Sequence, residues 1–153
     1  MRNRTGSQFS FFSICATDCV SLTLDGTDIQ KVYTCKYIGI RINDQLTWRN
    51  HTDDIYNKLK QLTGIFYRLK SKLAYRWFQN IYYAFVYAYL FYGIEIYANT
   101  YVSYLDKLVK IHDKILRILL NQSVCAPVPR LYEMFGLLII EKLYSLQVSM
   151  LVF

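Results

Sequence analysis

The sequence predicts an α+β protein that is mostly α, with a short antiparallel β-hairpin or sheet followed by a four- to five-helix bundle. Two observations predict this class. As far as about residue 48, short runs of β-branched and aromatic residues alternate with turn residues. From there to the last residue, apolar side chains recur at the three- and four-residue spacing of amphipathic helices. The predicted regions are therefore 1–48 and 49–153.

Composition supports a packed core and a polyanion partner. The chain of 153 residues is 54% hydrophobic and 17% aromatic with six Gly and two Pro, which argues against disorder. Its net charge of +7 is compatible with nucleic acid or an anionic membrane surface as a partner, although many basic proteins bind neither. The four cysteines, at positions 15, 19, 35 and 125, lack zinc-site spacing, so free thiols are preferred over a zinc site or a disulfide framework.

The first region predicts a small antiparallel sheet. Gln8–Ile14 is apolar and aromatic with interspersed serine, which favours a strand. Ser21–Leu24 and Ile29–Tyr33 flank a turn that contains Gly26, so they predict a hairpin. Lys36–Ile42 is the third strand of the predicted sheet because Tyr37, Ile38, Ile40 and Ile42 favour extended backbone.

The second region predicts helices at Thr52–Leu73, Tyr75–Ala98, Tyr101–Gln122, Arg130–Phe135 and Ile139–Phe153. Asn50 or Thr52 is the expected cap of the first helix, with Asp53 and Asp54 in its first turn, where the helix dipole favours acidic side chains. The apolar pattern is cut off in the last helix, which suggests a region truncated at its C-terminus.

One alternative is a small membrane-anchored protein. Trp77–Tyr92 carries no charged side chain, and a segment at about 77–98 has the length of a bilayer span. Gln79, Asn80 and the many tyrosines weigh against a span, so membrane binding is the disfavoured alternative.

A family resemblance lies at the junction of the two regions. Residues 36–51 read Lys-Tyr-Ile-Gly-Ile-x-Ile-x-x-x-Leu-Thr-Trp-x-x-His. This pattern resembles the palm-to-thumb passage of non-LTR (LINE, jockey-like) retrotransposon reverse transcriptases, although Ile38 stands where the family usually has Leu. Residues 82–93 and 105–117 are similar to later parts of the same family, and the resemblance covers most of residues 3–150.

The resemblance implies a fragment of an RNA-directed DNA polymerase. Residues 1–48 resemble the end of the palm, and residues 49–153 resemble the thumb and connecting helices. The residues that resemble the primer grip, a hairpin that holds the primer 3′ end, are Lys36, Tyr37, Ile38 and Gly39. The family's catalytic Asp motifs would precede residue 1, so this chain alone is expected to be inactive and to carry no cofactor. Mg²⁺ is implied for the intact polymerase only.

The resemblance also implies partners and a location. The partners are an RNA/DNA template–primer duplex and the missing N-terminal polymerase and endonuclease regions. The implied location is intracellular, in the nucleus or cytoplasm as a ribonucleoprotein. A degenerate copy with no function of its own is a further alternative.

Basic residues on and around the first helix are the candidate nucleic-acid contacts: Arg49, Lys58, Lys60, Arg68, Lys70, Lys72 and Arg76. The alternative is a solvated helix face. For the stripe from Lys107 to Arg117 the solvated face is preferred, because Asp106 and Asp113 dilute its charge.

Catalytic residues are not predicted. Asp53-Asp54 is the one adjacent acidic pair, but it opens a helix instead of lying in a turn between apolar strands, as the family's catalytic dyad does. His51 matches the family's Trp-x-x-His, and a structural hydrogen-bonding role is preferred over catalysis.

Overall fold

The computed structural model describes residues 10–11, 22–24, 26–72 and 74–152. The chain divides into two compact units, Met1–Thr47 and Trp48–Phe153. Within the described residues the first unit contains the strands and the second contains the helices. The predicted α+β, mostly α class is confirmed.

The first unit contains five short strands among its described residues. These are β1 (Ser10–Phe11), β2 (Leu22–Leu24), β3 (Thr27–Lys31), β4 (Thr34–Tyr37) and β5 (Ile40–Asn43). Strand β2 pairs antiparallel with β3, which confirms the predicted hairpin around Gly26. Strand β1 lies parallel to β3. It is the described part of the predicted strand Gln8–Ile14. The rest of that predicted strand lies outside the described residues, as do Cys15 and Cys19. Cys35 and Cys125 are free thiols.

The prediction of a single strand at Lys36–Ile42 is wrong. Strand β4 pairs antiparallel with β5, with Tyr37 opposite Ile40. Ile38 and Gly39 connect them with φ angles of 44° and 78°, so the backbone reverses inside the predicted strand. In the described part of the unit these two strands pair with each other and do not join the sheet of β1, β2 and β3.

Helix α1 (Arg49–Leu69) begins earlier than the sequence predicts. Trp48 precedes it with a φ of 58° and without a side-chain cap, so the expected capping by Asn50 or Thr52 is wrong. The Thr52 hydroxyl instead donates a hydrogen bond to the Arg49 carbonyl oxygen at 2.9 Å. Because the helix starts before Thr52, its first turn contains no acidic residue, and the prediction that Asp53 and Asp54 lie there is also wrong.

The second predicted helix is regular only in part. Helix α2 (Tyr75–Ile81), a π-helical segment (Tyr82–Tyr87) and α3 (Ala88–Phe91) follow one another without a break. Gly93, with a φ of 68°, then separates them from the short α4 (Ile94–Tyr97), so the prediction of one helix to Ala98 is wrong beyond Phe91.

The remaining helices are α5 (Val102–Leu119), α6 (Val128–Phe135) and α7 (Ile140–Val152). Within the described residues, no single helix combines the length and apolar character that crossing a membrane requires. One pair, α6 and α7, meets those criteria jointly, with a bend of 48° between its two helices.

Helices α1 and α5 lie side by side and run in the same direction. Near their N-terminal ends Lys107 forms an ion pair with Asp53. Beyond their C-terminal ends the Lys70 ammonium donates a hydrogen bond to the Asn121 side-chain oxygen at 3.3 Å. The core beside this pair is formed by fully buried side chains from three helical segments: Leu59, Phe66, Tyr82, Val86, Leu90, Leu108, Ile115 and Leu116.

A chain of polar side chains crosses this apolar core. The Tyr82 hydroxyl lies 2.7 Å from Nε2 of His112, and the Tyr132 hydroxyl lies 2.9 Å from Nδ1 of the same ring. Tyr132 also donates to the Asp113 carboxylate at 2.9 Å. A hydroxyl has one proton, so Tyr132 must accept from Nδ1–H of His112, which leaves Nε2 to accept from Tyr82. We call these four side chains the buried polar chain.

Burial sets the protonation states of the buried polar chain. It lowers the pKa of His112 to about 4, so the ring is neutral at pH 7. It also raises the pKa values of Tyr82 and Tyr132, which therefore keep their protons. Burial raises the pKa of Asp113 as well, while the Tyr132 hydrogen bond and the charge of Arg117 act in the opposite direction. The chain of donors and acceptors is thus complete near neutral pH.

Tyr132→Phe should lower the free energy of unfolding by about 2–3 kcal/mol, because it removes the hydroxyl shared by Asp113 and His112 and leaves buried polar atoms without that partner. The matched control is Tyr144→Phe, since Tyr144 is partly buried against the core and forms no hydrogen bond through its hydroxyl to the described residues. Tyr144→Phe should change the free energy of unfolding by less than about 0.5 kcal/mol. Urea unfolding of both variants measures these free energies. An equal loss of stability in the two variants would contradict the role assigned to the Tyr132 hydroxyl.

The free energy of unfolding should fall as pH decreases from 6.5 toward 4, by up to about 1.4 kcal/mol per pH unit. In this window the unfolded chain protonates position 112 while folded His112 stays neutral, so acid favours the unfolded state. Asp113 acts in the opposite direction, because its raised pKa lets the folded state bind a proton first, and it offsets part of the loss.

Urea midpoints measured between pH 7 and pH 5 test this dependence. In His112→Gln the side-chain amide can still donate and accept hydrogen bonds but does not titrate, so its midpoint should vary less with pH than that of the unmodified chain. Parallel curves for the two proteins would assign the pH dependence to other groups.

Candidate nucleic-acid interface

The turn at Ile38-Gly39 is the feature of the first unit that best fits a contact with a ligand. Because φ is positive at both central residues, the two-residue connection has the φ signs of a type I′ hairpin turn. All four residues predicted to resemble the primer grip are exposed: Lys36, Tyr37, Ile38 and Gly39. The structure therefore presents them together at the end of one hairpin.

Ile38 is an unusual residue for this turn. Positive φ is favoured by Gly, Asn and Asp, and a β-branched residue there is strained. The side chain is also 68% exposed, so burial of its apolar surface does little to offset the strain. The hairpin thus holds an apolar side chain outward at an energetic cost.

The predicted cations of the second unit are mostly at the surface. Arg49, Lys58, Lys60, Arg68, Lys72 and Arg76 are exposed, and Lys70 is partly buried. Three of them contact rings: Lys58 lies 4.7 Å from the Tyr89 ring centroid, Lys70 lies 5.1 Å from that of Tyr67, and Arg76 lies 5.2 Å from that of Trp77.

One side of α1 carries a line of outward cations. Arg49, Lys60 and Arg68 are separated by eleven and eight residues, so they fall within an arc of about 100° on a helix with 3.6 residues per turn. Arg68 donates a weak hydrogen bond to the Gly64 carbonyl oxygen at 3.4 Å, and Arg49 and Lys60 have no ion pair with any described residue. We call these three residues the basic line.

The acidic residues of α1, Asp53 and Asp54, lie one turn after Arg49, and none follows them on the helix. The interval between Asp54 and Glu95 contains six Lys or Arg and no Asp or Glu. Asp53 is paired with Lys107 of α5. The positive field of this segment is consequently available to an external anion.

The stripe from Lys107 to Arg117 is divided by its surroundings. Lys107 is engaged with Asp53, and Arg117 is partly buried and lowers the pKa of Asp113. Lys110 and Lys114 are exposed. At least two of its cations therefore serve contacts within the protein.

The residues weighed for catalysis lie in structural positions. His51 is buried, and its ring lies edge-on to that of Tyr97 with 5.2 Å between the centroids. Asp53 and Asp54 are side by side on α1, and Asp53 contacts Lys107. Among the described residues no group of three or more His, Cys, Asp or Glu side chains is arranged to hold a metal ion.

Sequence reasoning missed two features of the second unit. The buried polar chain joins residues 20 and 30 positions apart, and no local signal connects them. The second feature is the set of exposed aromatic side chains on the helix after Ala74, which the sequence does not identify as a surface. Their lack of nearby acidic residues was the available signal.

Comparison of the chain with known protein families, with curated proteins and with solved structures finds no match.

Ile38→Gly should raise the free energy of unfolding of the hairpin by about 1 kcal/mol, because glycine adopts the positive φ without strain. Gly39→Ala is the matched control, for which the opposite effect is expected. It should lower the free energy of unfolding of the hairpin by about 1 kcal/mol, because alanine is strained at a φ of 78°. Hydrogen exchange of the β4 and β5 amides measures both. Destabilisation by Ile38→Gly would show that the Ile38 side chain has stabilising contacts that outweigh the strain.

Proposed function

We propose that this chain is the grip-and-thumb segment of a non-LTR retrotransposon reverse transcriptase and that it contacts an RNA/DNA template–primer duplex without carrying the catalytic carboxylates. The resemblance of residues 36–51 to that family supports the assignment. The observation that carries the proposed role is the basic line, which is exposed and forms no ion pair with the described residues.

The length of the basic line suits a duplex backbone. Arg49 and Arg68 are nineteen residues apart on α1, which places them about 28 Å apart along the helix axis. That is roughly eight phosphate spacings of one strand. Arginine and lysine on such a line can neutralise phosphates of one strand without reading its sequence.

The hairpin would supply a second contact in this proposal. Gly39 allows close approach of a sugar-phosphate, and exposed Tyr37 and Ile38 offer apolar surface to a primer terminus. Mg²⁺ chemistry would belong to the intact polymerase, whose catalytic carboxylates we assign to other regions of it.

The triple variant Arg49→Gln, Lys60→Gln, Arg68→Gln should bind an RNA–DNA hybrid about 10-fold to 100-fold more weakly at low salt, because it removes three phosphate contacts. The slope of log affinity against log salt should also become shallower by about two to three units. Fluorescence anisotropy across a salt series with a 20-base-pair hybrid measures both quantities.

Lys142→Gln is the matched control, since Lys142 is an exposed lysine on α7 and does not belong to the basic line. It should leave affinity and slope nearly unchanged. Hybrid binding that is absent at low salt, or that lacks a salt slope in the unmodified chain, would contradict the proposed function.

A further inference from the structure

Two paths through the second unit meet at the ring of Tyr82. The first path is made of hydrogen bonds and runs along the buried polar chain from the Tyr82 hydroxyl to the Asp113 carboxylate. The second path is made of ring contacts, since Tyr82 lies edge-on to Tyr83 with 5.4 Å between the two centroids. Tyr82 is 1% exposed, whereas Tyr83 is 42% exposed. A buried phenol is thus connected to a carboxylate by hydrogen bonds and to the surface by a neighbouring ring.

The hydrogen-bonded path has one direction. The Tyr82 hydroxyl donates to Nε2 of His112 at 2.7 Å, because Nδ1–H of the same ring donates to Tyr132 at 2.9 Å. The Tyr132 hydroxyl in turn donates to the Asp113 carboxylate at 2.9 Å. All three distances lie in the range over which a proton passes between two heavy atoms. Every member between the two ends therefore has a proton to give and a lone pair with which to receive one.

This path suits the oxidation of a phenol. Removal of one electron from tyrosine makes its hydroxyl a far stronger acid than an imidazolium group, so the proton leaves wherever a base can take it. His112 is neutral because burial lowers its pKa, and its Nε2 lone pair faces the Tyr82 hydroxyl. Without such a base the oxidised ring would keep a positive charge in an apolar core, which is strongly unfavourable.

Tyr97 is a second buried tyrosine that lacks this arrangement. It is 0% exposed, and its hydroxyl donates to the backbone carbonyl oxygen of Leu90. A backbone carbonyl accepts a hydrogen bond but does not take up the proton near neutral pH. Tyr82 and Tyr97 are therefore equally buried phenols that differ in the basicity of the group at the hydroxyl.

The ring contacts extend along the helix on the exposed side of Tyr82. Tyr83 lies 5.5 Å from Tyr87 between centroids, and Tyr87 is stacked on Phe91 at 5.2 Å with the planes 15° apart. An oxidising equivalent that arrives at the exposed Tyr83 ring is consequently in contact with the Tyr82 ring. Transfer from Tyr83 to Tyr82 is favoured because the Tyr82 proton has an acceptor in place.

We propose that Tyr82 is a redox-active tyrosine that gives one electron to an organic peroxyl radical at the surface while its phenolic proton passes to His112. Tyr82 becomes a neutral tyrosyl radical, and the peroxyl radical becomes a peroxide anion that takes a proton from water. His112 receives the Tyr82 proton at Nε2 and passes its Nδ1 proton to Tyr132, which gives its own proton to Asp113. One electron and one proton leave Tyr82, the Asp113 carboxylate becomes a carboxylic acid, and the buried rings stay uncharged.

This inference goes beyond the proposed function and does not rest on it. It uses core side chains of the second unit, whereas the proposed function uses the basic line and the Ile38-Gly39 hairpin. Hybrid binding without a Tyr82 radical would refute this inference alone, and a Tyr82 radical in a chain that does not bind the hybrid would refute the proposed function alone.

The test is pulse radiolysis of the full chain with the trichloromethylperoxyl radical as oxidant, followed by electron paramagnetic resonance of freeze-quenched samples. Exposed tyrosyl radicals of different molecules couple with one another, so their decay should become faster as the protein concentration rises. A radical on buried Tyr82 should decay at a rate that does not depend on protein concentration. The unmodified chain should contain this concentration-independent radical.

Tyr82→Phe should abolish the concentration-independent radical, because phenylalanine has no oxidisable hydroxyl. Tyr97→Phe is the matched control, since it also removes one buried hydroxyl with its hydrogen bond, and it should leave that radical in place. Persistence of the radical in Tyr82→Phe would overturn the inference, and so would its loss in both variants. A radical that persists in Tyr82→Phe but disappears in Tyr132→Phe would place the oxidation at Tyr132.

His112→Gln separates proton transfer from packing. The glutamine amide can still accept the Tyr82 hydrogen bond but is not a base, so the concentration-independent radical should form about 10-fold or more slowly. In the unmodified chain its formation should also be slower in heavy water than in ordinary water. Equal rates in the two solvents, together with an unchanged rate in His112→Gln, would show that no proton moves along this path and would overturn the inference.

Discussion

The buried polar chain is the constraint on which the second unit depends. Tyr82 belongs to the π segment, His112 and Asp113 belong to α5, and Tyr132 belongs to α6. Apolar packing alone tolerates small rotations of a helix, but a buried hydroxyl displaced from its partner loses a hydrogen bond that water cannot replace. Three helical elements are therefore held in one rotational setting. That setting decides which side of the Tyr75–Phe91 helix faces outward.

The structure separates cations that are indistinguishable in sequence. Lys107 and Lys70 connect α1 with α5 through Asp53 and Asn121. Arg49 and Lys60 are exposed and form no ion pair with the described residues. The cations near α1 thus divide into those that connect the two helices and those whose charge remains for an external partner. The interval between Asp54 and Glu95 contains no acidic residue, which strengthens the positive field of the second group.

Periodicity predicted the fold class and the core of each long helix because burial of an apolar stripe dominates helix placement. It did not predict the ends of the helices, because the backbone angles of single residues determine where a helix starts or breaks. Trp48 and Gly93 adopt positive φ and set a start and a break that no residue pattern marked. Ile38-Gly39 is likewise not a recognised turn pair, so the residue pattern predicts one strand there, whereas the family resemblance implies a hairpin.

The candidate site was predictable in residue type but not in arrangement. The seven cations were identified from composition and spacing, whereas their division into paired and outward groups depends on contacts between helices far apart in the chain. His112 on an apolar stripe gave no indication of its tyrosine partners, because those contacts form only after α5 and α6 pack.

The parallel direction of α1 and α5 has a chemical consequence for one lysine. Both helices end on the same side of the unit, so the partial negative charges of their last carbonyl groups accumulate there. Lys70 sits among them, held by Asn121 and by the Tyr67 ring. The ammonium group of Lys70 therefore acts as a counter-ion for two helix ends. Acylating reagents that neutralise this group would weaken the contact between α1 and α5.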